Sequence, residues 1–117
     1  MYAPHFEIHN GVLTKCRMSE EEENVTVTIP DGVTSIGKDA FGGCDALKSI
    51  TIPDSVIIIG DKAFAGCTAL ESVSIPESVT SIGDSAFDDC DILTICAPSG
   101  SYAIVYAKDN GIKCKEI

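Results

Sequence analysis

IPDGVTSIGKDAFGGCDALKSIT, residues 29–51, runs directly into IPDSVIIIGDKAFAGCTALESVS, residues 52–74, and then into IPESVTSIGDSAFDDCDILTICA, residues 75–97. Each block has 23 residues, and the same residue types fall in the same columns. Ile29, Ile52 and Ile75 each precede a proline, at Pro30, Pro53 and Pro76. Further along come the valines 33, 56 and 79, the isoleucines 36, 59 and 82, and the glycines 37, 60 and 83. Ala40-Phe41, Ala63-Phe64 and Ala86-Phe87 follow, then Cys44, Cys67 and Cys90, then Leu47, Leu70 and Leu93. A period in the twenties with apolar residues in fixed columns predicts a repeat solenoid, in which each unit buries its face only against its neighbours.

Within the middle block, Leu47-Lys48-Ser49-Ile50-Thr51-Ile52 has the spacing of a short strand with Leu47, Ile50 and Ile52 inward. Pro53 lacks an N–H to donate and ends the pairing. Val56 to Ile59 gives a second extended segment, and Gly60 turns the chain. Asp61 to Cys67 then reads as about one helical or 3₁₀ turn with Ala63, Phe64 and Cys67 inward. The alanine makes room for the ring beside it, so the phenylalanine column is expected to be the spine of the fold.

The flanks read as caps. Residues 1–24 form the first, in which Asn10-Gly11, between Phe6–His9 and Val12–Lys15, is a two-residue hairpin signal. Glu20 to Glu23 is a run of like charge expected in a solvated loop. Residues 25–98 carry the repeats, although Leu93 to Pro98 is one residue shorter than Leu70 to Pro76. In residues 99–117, Ser99-Gly100-Ser101 offers an N-cap to a helix over Tyr102–Asp109, with Tyr102, Ala103, Tyr106 and Ala107 on one face. Asn110-Gly111 stops that helix, and Ile112 to Cys114 returns as a strand. The expectation is one domain of 117 residues, capped at both ends.

The formal net charge is -10 and the pI about 4.3, which disfavours nucleic-acid phosphates and anionic membrane and favours solubility. The start shows neither a basic nor an apolar signal region, and the longest of the apolar runs in the repeats, at Val56 to Ile59, is far too short to span a bilayer. The chain as written is expected in the cytoplasm, or at the cell surface or secreted if it is cut from a longer protein. Cys44, Cys67 and Cys90 are expected to stack, buried and reduced, as small hydrophobes. Cys16, Cys96 and Cys114 lie outside their column; Cys16 is expected to react first with a thiol reagent, and Cys96 and Cys114 to approach one another.

No nucleotide-binding glycine loop, nucleophile elbow or zinc-protease motif is present. His5 and His9 read as surface residues. Asp88, Asp89 and Asp91 lack the glycine and terminal glutamate of an EF-hand and read as a solvated acidic face. No catalytic residue, cofactor or metal is expected. The strand face offers outward hydroxyls in two ladders, Thr26, Ser49 and Ser72, then Thr28, Thr51 and Ser74. Such ladders are structural, or a platform for a sugar or for ice.

The units Ile29–Gly37 and Ala40–Leu47 closely resemble the BspA-like leucine-rich repeat. Phe6–Lys15 resembles the hairpin that leads such arrays, and Gly100–Ala103 with Tyr106–Ile112 resembles the helix that ends them. The resemblance implies a right-handed coil of short strands, found in bacterial surface proteins and linked to adhesion and protein binding, with no catalytic residues. Two places depart from it. Thr34-Ser35 and Thr80-Ser81 become Ile57-Ile58 in the middle coil, and Ile104-Val105 are apolar where the family carries charge. An exposed apolar pair marks a contact, or packs locally against the cap, a reading that fits Ile104 and Val105 equally and Ile57 and Ile58 less well. The expected partner is therefore an unidentified protein touching Ile57, Ile58, Lys48, Ser49, Thr51, Glu71, Ser72 and Ser74. The alternative is self-association through the isoleucines, as a monomer or weak homo-oligomer.

Overall fold

Proline and glycine punctuate each block so that it turns back on itself. The computed structural model describes residues 5–18 and 23–117. The strands are β1 (His5–His9), β2 (Val12–Arg17), β3 (Val25–Thr28), β4 (Ser35–Ile36), β5 (Leu47–Thr51), β6 (Ile58–Ile59), β7 (Ser72–Ser74), β8 (Ser81–Ile82), β9 (Thr94–Ala97) and β10 (Lys113–Glu116), with helix α1 (Tyr102–Asp109) before the last. They form two five-stranded sheets, which we call A, ordered β1-β2-β4-β6-β8, and B, ordered β10-β9-β7-β5-β3. Each repeat thus gives one strand to each sheet, and the molecule is a β-solenoid. Apart from the antiparallel β1–β2 hairpin, neighbours pair in parallel. The β2–β4, β4–β6, β6–β8 and β5–β7 pairs keep the 23-residue register, as does β3–β5 from Thr26 on, whereas β9 pairs with β7 one residue short of it and β10 follows its own offset.

The core lies between the sheets. Ile36, Ile59 and Ile82 stand in register on the inner face of sheet A, and Val27, Ile50, Val73 and Ile95 on that of sheet B. The rings of Phe41 and Phe64 stack 4.9 Å apart at 9°, and those of Phe64 and Phe87 5.1 Å apart at 5°. That spacing is close to the strand separation of a sheet. Tyr106 ends the stack, tilted 59° against Phe87 at 6.3 Å.

The segment expected as one helical or 3₁₀ turn is a run of tight turns with i to i+3 hydrogen bonds. Ala40 N–H donates to Gly37 O, Gly42 N–H to Asp39 O and Cys44 N–H to Phe41 O, and the next coil repeats this. A helix does not form because Asp39, Lys62 and Ser85, one column, sit at φ of 58°, 56° and 58°. The glycine column serves close approach. A Cβ on Gly83 would lie 2.5 Å from Asp61 N and 2.8 Å from its Cα.

At the N-terminal end Asn10 and Gly11 take φ of 50° and 79°, as the two-residue turn requires. β2 lays Leu13 beside Ile36 and covers the first coil. Cys16 N–H donates to Ala40 O, the bond that Phe41 N–H makes to Ala63 O and Phe64 N–H to Ala86 O. Cys16 therefore occupies the phenylalanine slot of a degenerate coil and is buried. It lies outside the cysteine column, as expected, but its burial runs against the expectation that it reacts first. The expected loop at Glu20 to Glu22 lies outside the described residues; Glu23 is exposed.

At the C-terminal end α1 buries Ala103, Ile104 and Ala107, the i, i+1, i+4 pattern of Ala86, Phe87 and Cys90. The helix face is thus rotated from the expected one: Ile104 is in the core and Tyr102 is out. Ser101 holds the N-cap position, yet its hydroxyl makes no hydrogen bond. The helix closes with Gly111 N–H to Lys108 O and Ile112 N–H to Ala107 O around Gly111 at φ 68°, a Schellman arrangement. The returning strand starts one residue later than expected, and β10 extends sheet B.

Candidate functional site

From β4 to β8 the strands of sheet A carry no charged residue. Across its outer face Val12, Ser35, Ile58 and Ser81 stand in register, one per strand from β2 to β8. Beside that row Ile57 N–H donates to Thr34 O and Thr80 N–H to Ile57 O, which aligns Thr34, Ile57 and Thr80 as a second row. Ile57 and Ile58 are 48% and 46% exposed. Their β-branched side chains suit extended backbone, so the pair costs the sheet nothing while placing aliphatic surface in water. The flanking positions are all hydroxyls, which makes this an apolar centre with a polar rim. At the β8 end the Ile82 N–H donates to the Tyr102 hydroxyl at 3.4 Å, and Val105, one helical turn on, is 53% exposed.

The outer face of sheet B holds the ladders, longer than expected. Thr26, Ser49, Ser72, Thr94 and Lys113 form one, and Thr28, Thr51, Ser74, Cys96 and Lys115 the other. Thr26 and Ser49 share a hydrogen bond of 3.1 Å. Lys48 and Glu71 lie at the strand starts, where Glu71 N–H donates to Lys48 O and Thr94 N–H to Glu71 O. Ser72 pairs with Thr94, so the residue that β9 lacks is the counterpart of Glu71. The eight residues expected at one contact therefore divide: Ile57 and Ile58 on sheet A, and Lys48, Ser49, Thr51, Glu71, Ser72 and Ser74 on sheet B, with the core between them.

Among the described residues, the thiols of Cys16 and Cys67 are drawn inward. Cys67 Sγ donates to Phe41 O and Cys90 Sγ to Phe64 O, both at 3.1 Å. Each of these two thiols thus adds a second hydrogen bond to a turn carbonyl of the coil before it. Cys67 is fully buried, but Cys44 and Cys90 are half-buried, which corrects the expectation of three sealed thiols. Burial, with the nearby Cys44 thiol, pushes Cys16 up to about 12. The neighbouring Cys90 thiol, together with burial, raises Cys67. Cys16 is thus among the most protected thiols, contrary to its expected first place in labelling. Cys114 pairs with Ile95 and Cys96 with Lys115, so the two sulfurs stand on opposite faces of sheet B and do not meet. His5 and His9 are exposed, as expected.

The BspA type leucine rich repeat region matches residues 7–107 in six copies. The chain belongs to this family. The match starts in the hairpin and ends in α1, in accord with both caps being degenerate repeats. A crystal structure of a leucine rich cell surface protein from Faecalibacterium prausnitzii A2-165 is similar to this chain at 29% identity and a TM-score of 0.52 over 90% of it. A leucine-rich repeat protein from Bacteroides ovatus ATCC 8483 is similar at 26% identity over 80% of the chain, with a TM-score of 0.43. The chain spans only 34% and 38% of the lengths of those two proteins. No curated protein matches it. Among the described residues no helix is long and apolar enough to cross a membrane.

Proposed function

We propose that this chain is a non-catalytic protein-interaction module of the BspA-like type, and that it docks its partner on the outer face of sheet A. The exposure of Ile57 and Ile58 is the observation that carries the reading, because the coils on either side keep threonine and serine at the same two positions. Two half-exposed isoleucines fall far short of the ~800 Å² that each partner buries in a standard interface. The contact therefore extends over Thr34, Ser35, Thr80 and Ser81, with the isoleucines as its anchor. The likeness to a leucine rich cell surface protein supports a place at the cell surface for the parent protein.

The test is a double substitution, Ile57→Thr with Ile58→Ser, which restores the residues of the neighbouring coils. Capture from host extracellular matrix and from bacterial lysate, with wild type and variant side by side, is expected to show at least one protein held by wild type and lost from the variant. Melting is expected to be unchanged, since both side chains stand in solvent. Identical capture by the two proteins would remove sheet A as the docking face. A concentration-dependent dimer in light scattering, abolished by the substitution, would replace a foreign partner with a second copy.

A further inference from the structure

The tight turns of each coil are fastened to the next coil by a fixed set of backbone bonds. The N–H groups of Asp39, Phe41 and Gly43 donate to Asp61 O, Ala63 O and Ala65 O, and those of Lys62, Phe64 and Gly66 donate to Asp84 O, Ala86 O and Asp88 O. In the last coil the same three places are held by Ser85, Phe87 and Asp89. Their N–H groups have no acceptor among the described residues. Ser85 and Asp89 are exposed. Phe87 between them is only 6% exposed, a setting in which an N–H is ordinarily paired.

The two caps differ in what they leave open. The hairpin pairs with the first coil much as another coil would, since Thr34 N–H donates to Gly11 O, Gly37 N–H to Leu13 O and Cys16 N–H to Ala40 O. At the far end β10 extends sheet B, but α1 is a helix, and its backbone groups bond within itself. It covers the core without pairing with the turns beside it. The last coil nevertheless keeps the donating conformation. Ser85 takes φ 58°, like Asp39 and Lys62 at 58° and 56°, and Asp89 takes φ 60° where Gly43 and Gly66 take 71° and 79°. The three donors lie two residues apart, the interval at which an extended chain presents its carbonyls to one side.

We propose that this open edge docks an extended basic segment of a partner protein, whose main-chain carbonyls accept from Ser85, Phe87 and Asp89. An unpaired edge of N–H groups is a template for a further strand. Charge decides the occupant. Asp84, Asp88, Asp89 and Asp91 surround the row, against Lys62 in the Ser85 column one coil back and Lys108 in α1. A row of N–H groups also suits an anion, but the carboxylates repel one. A basic peptide brings neutral carbonyls to the row and lysine or arginine side chains to the carboxylates. The edge lies beyond Ile57 and Ile58, and its reading does not depend on the docking face of sheet A.

The experiment follows the backbone amides of the full chain by NMR. Its probe is an alternating lysine–threonine dodecapeptide, and the glutamate–threonine counterpart is the control. In the free chain the Ser85 and Asp89 amides are expected to exchange with solvent faster than those of Lys62 and Gly66, their equivalents one coil back. The basic peptide is expected to shift the Ser85, Phe87 and Asp89 signals and to slow that exchange, and the acidic one to do neither. Asp84→Asn, Asp88→Asn, Asp89→Asn and Asp91→Asn together are expected to weaken binding about tenfold at low salt. Ile57→Thr with Ile58→Ser is expected to leave it unchanged, and circular dichroism checks that both variants fold. Equal protection of Ser85 and Lys62 in the free chain would overturn the proposal. So would an equal response to the two peptides, no response to the basic one, or shifts as large at Asp31 and Asp54 as along the row.

Discussion

The stacked rings set the energetics residue by residue. Phe64 lies between Phe41 and Phe87, fully buried, with its amide bonded to Ala86 O and its carbonyl to two groups of the cysteine column. A coil this thin has no second layer to collapse into the space a deletion leaves. Phe64→Ala is therefore expected to cost roughly 3–5 kcal/mol, the range for a large buried ring removed without relaxation. Urea or thermal melts measure it, and a loss below about 1 kcal/mol would show that neighbouring coils close the gap. Phe87 packs on Tyr106 on one side and is 6% exposed, so its deletion is expected to be milder.

At the scale of elements, strands and caps separate by how strictly the period governs them. The parallel registers from β2 to β8 and from β5 to β7, the hairpin turn and both ends of α1 could be read from the columns and from Asn-Gly signals, because regular pairing leaves the chain no other choice. The tight turns could not, since the apolar spacing of Ala63, Phe64 and Cys67 is helical while the deciding fact is the positive φ of Lys62, a residue with no preference for it. Cys16 was missed because it lies 25 residues before Phe41, off the 23-residue period, and only its hydrogen bond to Ala40 reveals the slot it fills. The candidate contact was legible at Ile57 and Ile58, where a departure from the columns shows directly. Its division between two sheets was not, because a linear sequence does not say that the halves of one block face opposite ways. The start of α1 gives an element-scale prediction. Ser101 sits in a capping position, where replacing serine ordinarily costs about 1 kcal/mol. Here its hydroxyl is buried without a partner. Ser101→Ala is thus expected to leave stability unchanged or to raise it, since it removes an unsatisfied group. A fall of about 1 kcal/mol or more in a denaturant melt would show that the hydroxyl caps the helix after all.

The whole molecule couples its core to pH through thiols instead of histidines. Cys16 ionises near 9 when free and is held protonated to about 12 by its surroundings. Cys67 is displaced in the same direction. Between those values the unfolded chain releases protons that the folded chain keeps, so the stability these groups supply is complete below about pH 9 and is lost as pH climbs toward about 12. A second alkaline effect runs alongside. A net charge of -10 grows more negative as lysines discharge, and self-repulsion loosens the coil. Salt separates the two, because ~1 M shrinks the screening length to about 3 Å and removes most of the repulsion but not the cost of burying a thiolate. The urea midpoint in high salt is therefore expected to hold steady up to about pH 9 and then fall. Cys16→Ala, less stable at neutral pH through its lost packing, is expected to show a shallower alkaline fall than wild type. Parallel curves for the two proteins would mean that the thiol of Cys16 does not carry the pH dependence, and would leave it to Cys67 or to Tyr106, whose hydroxyl burial likewise raises.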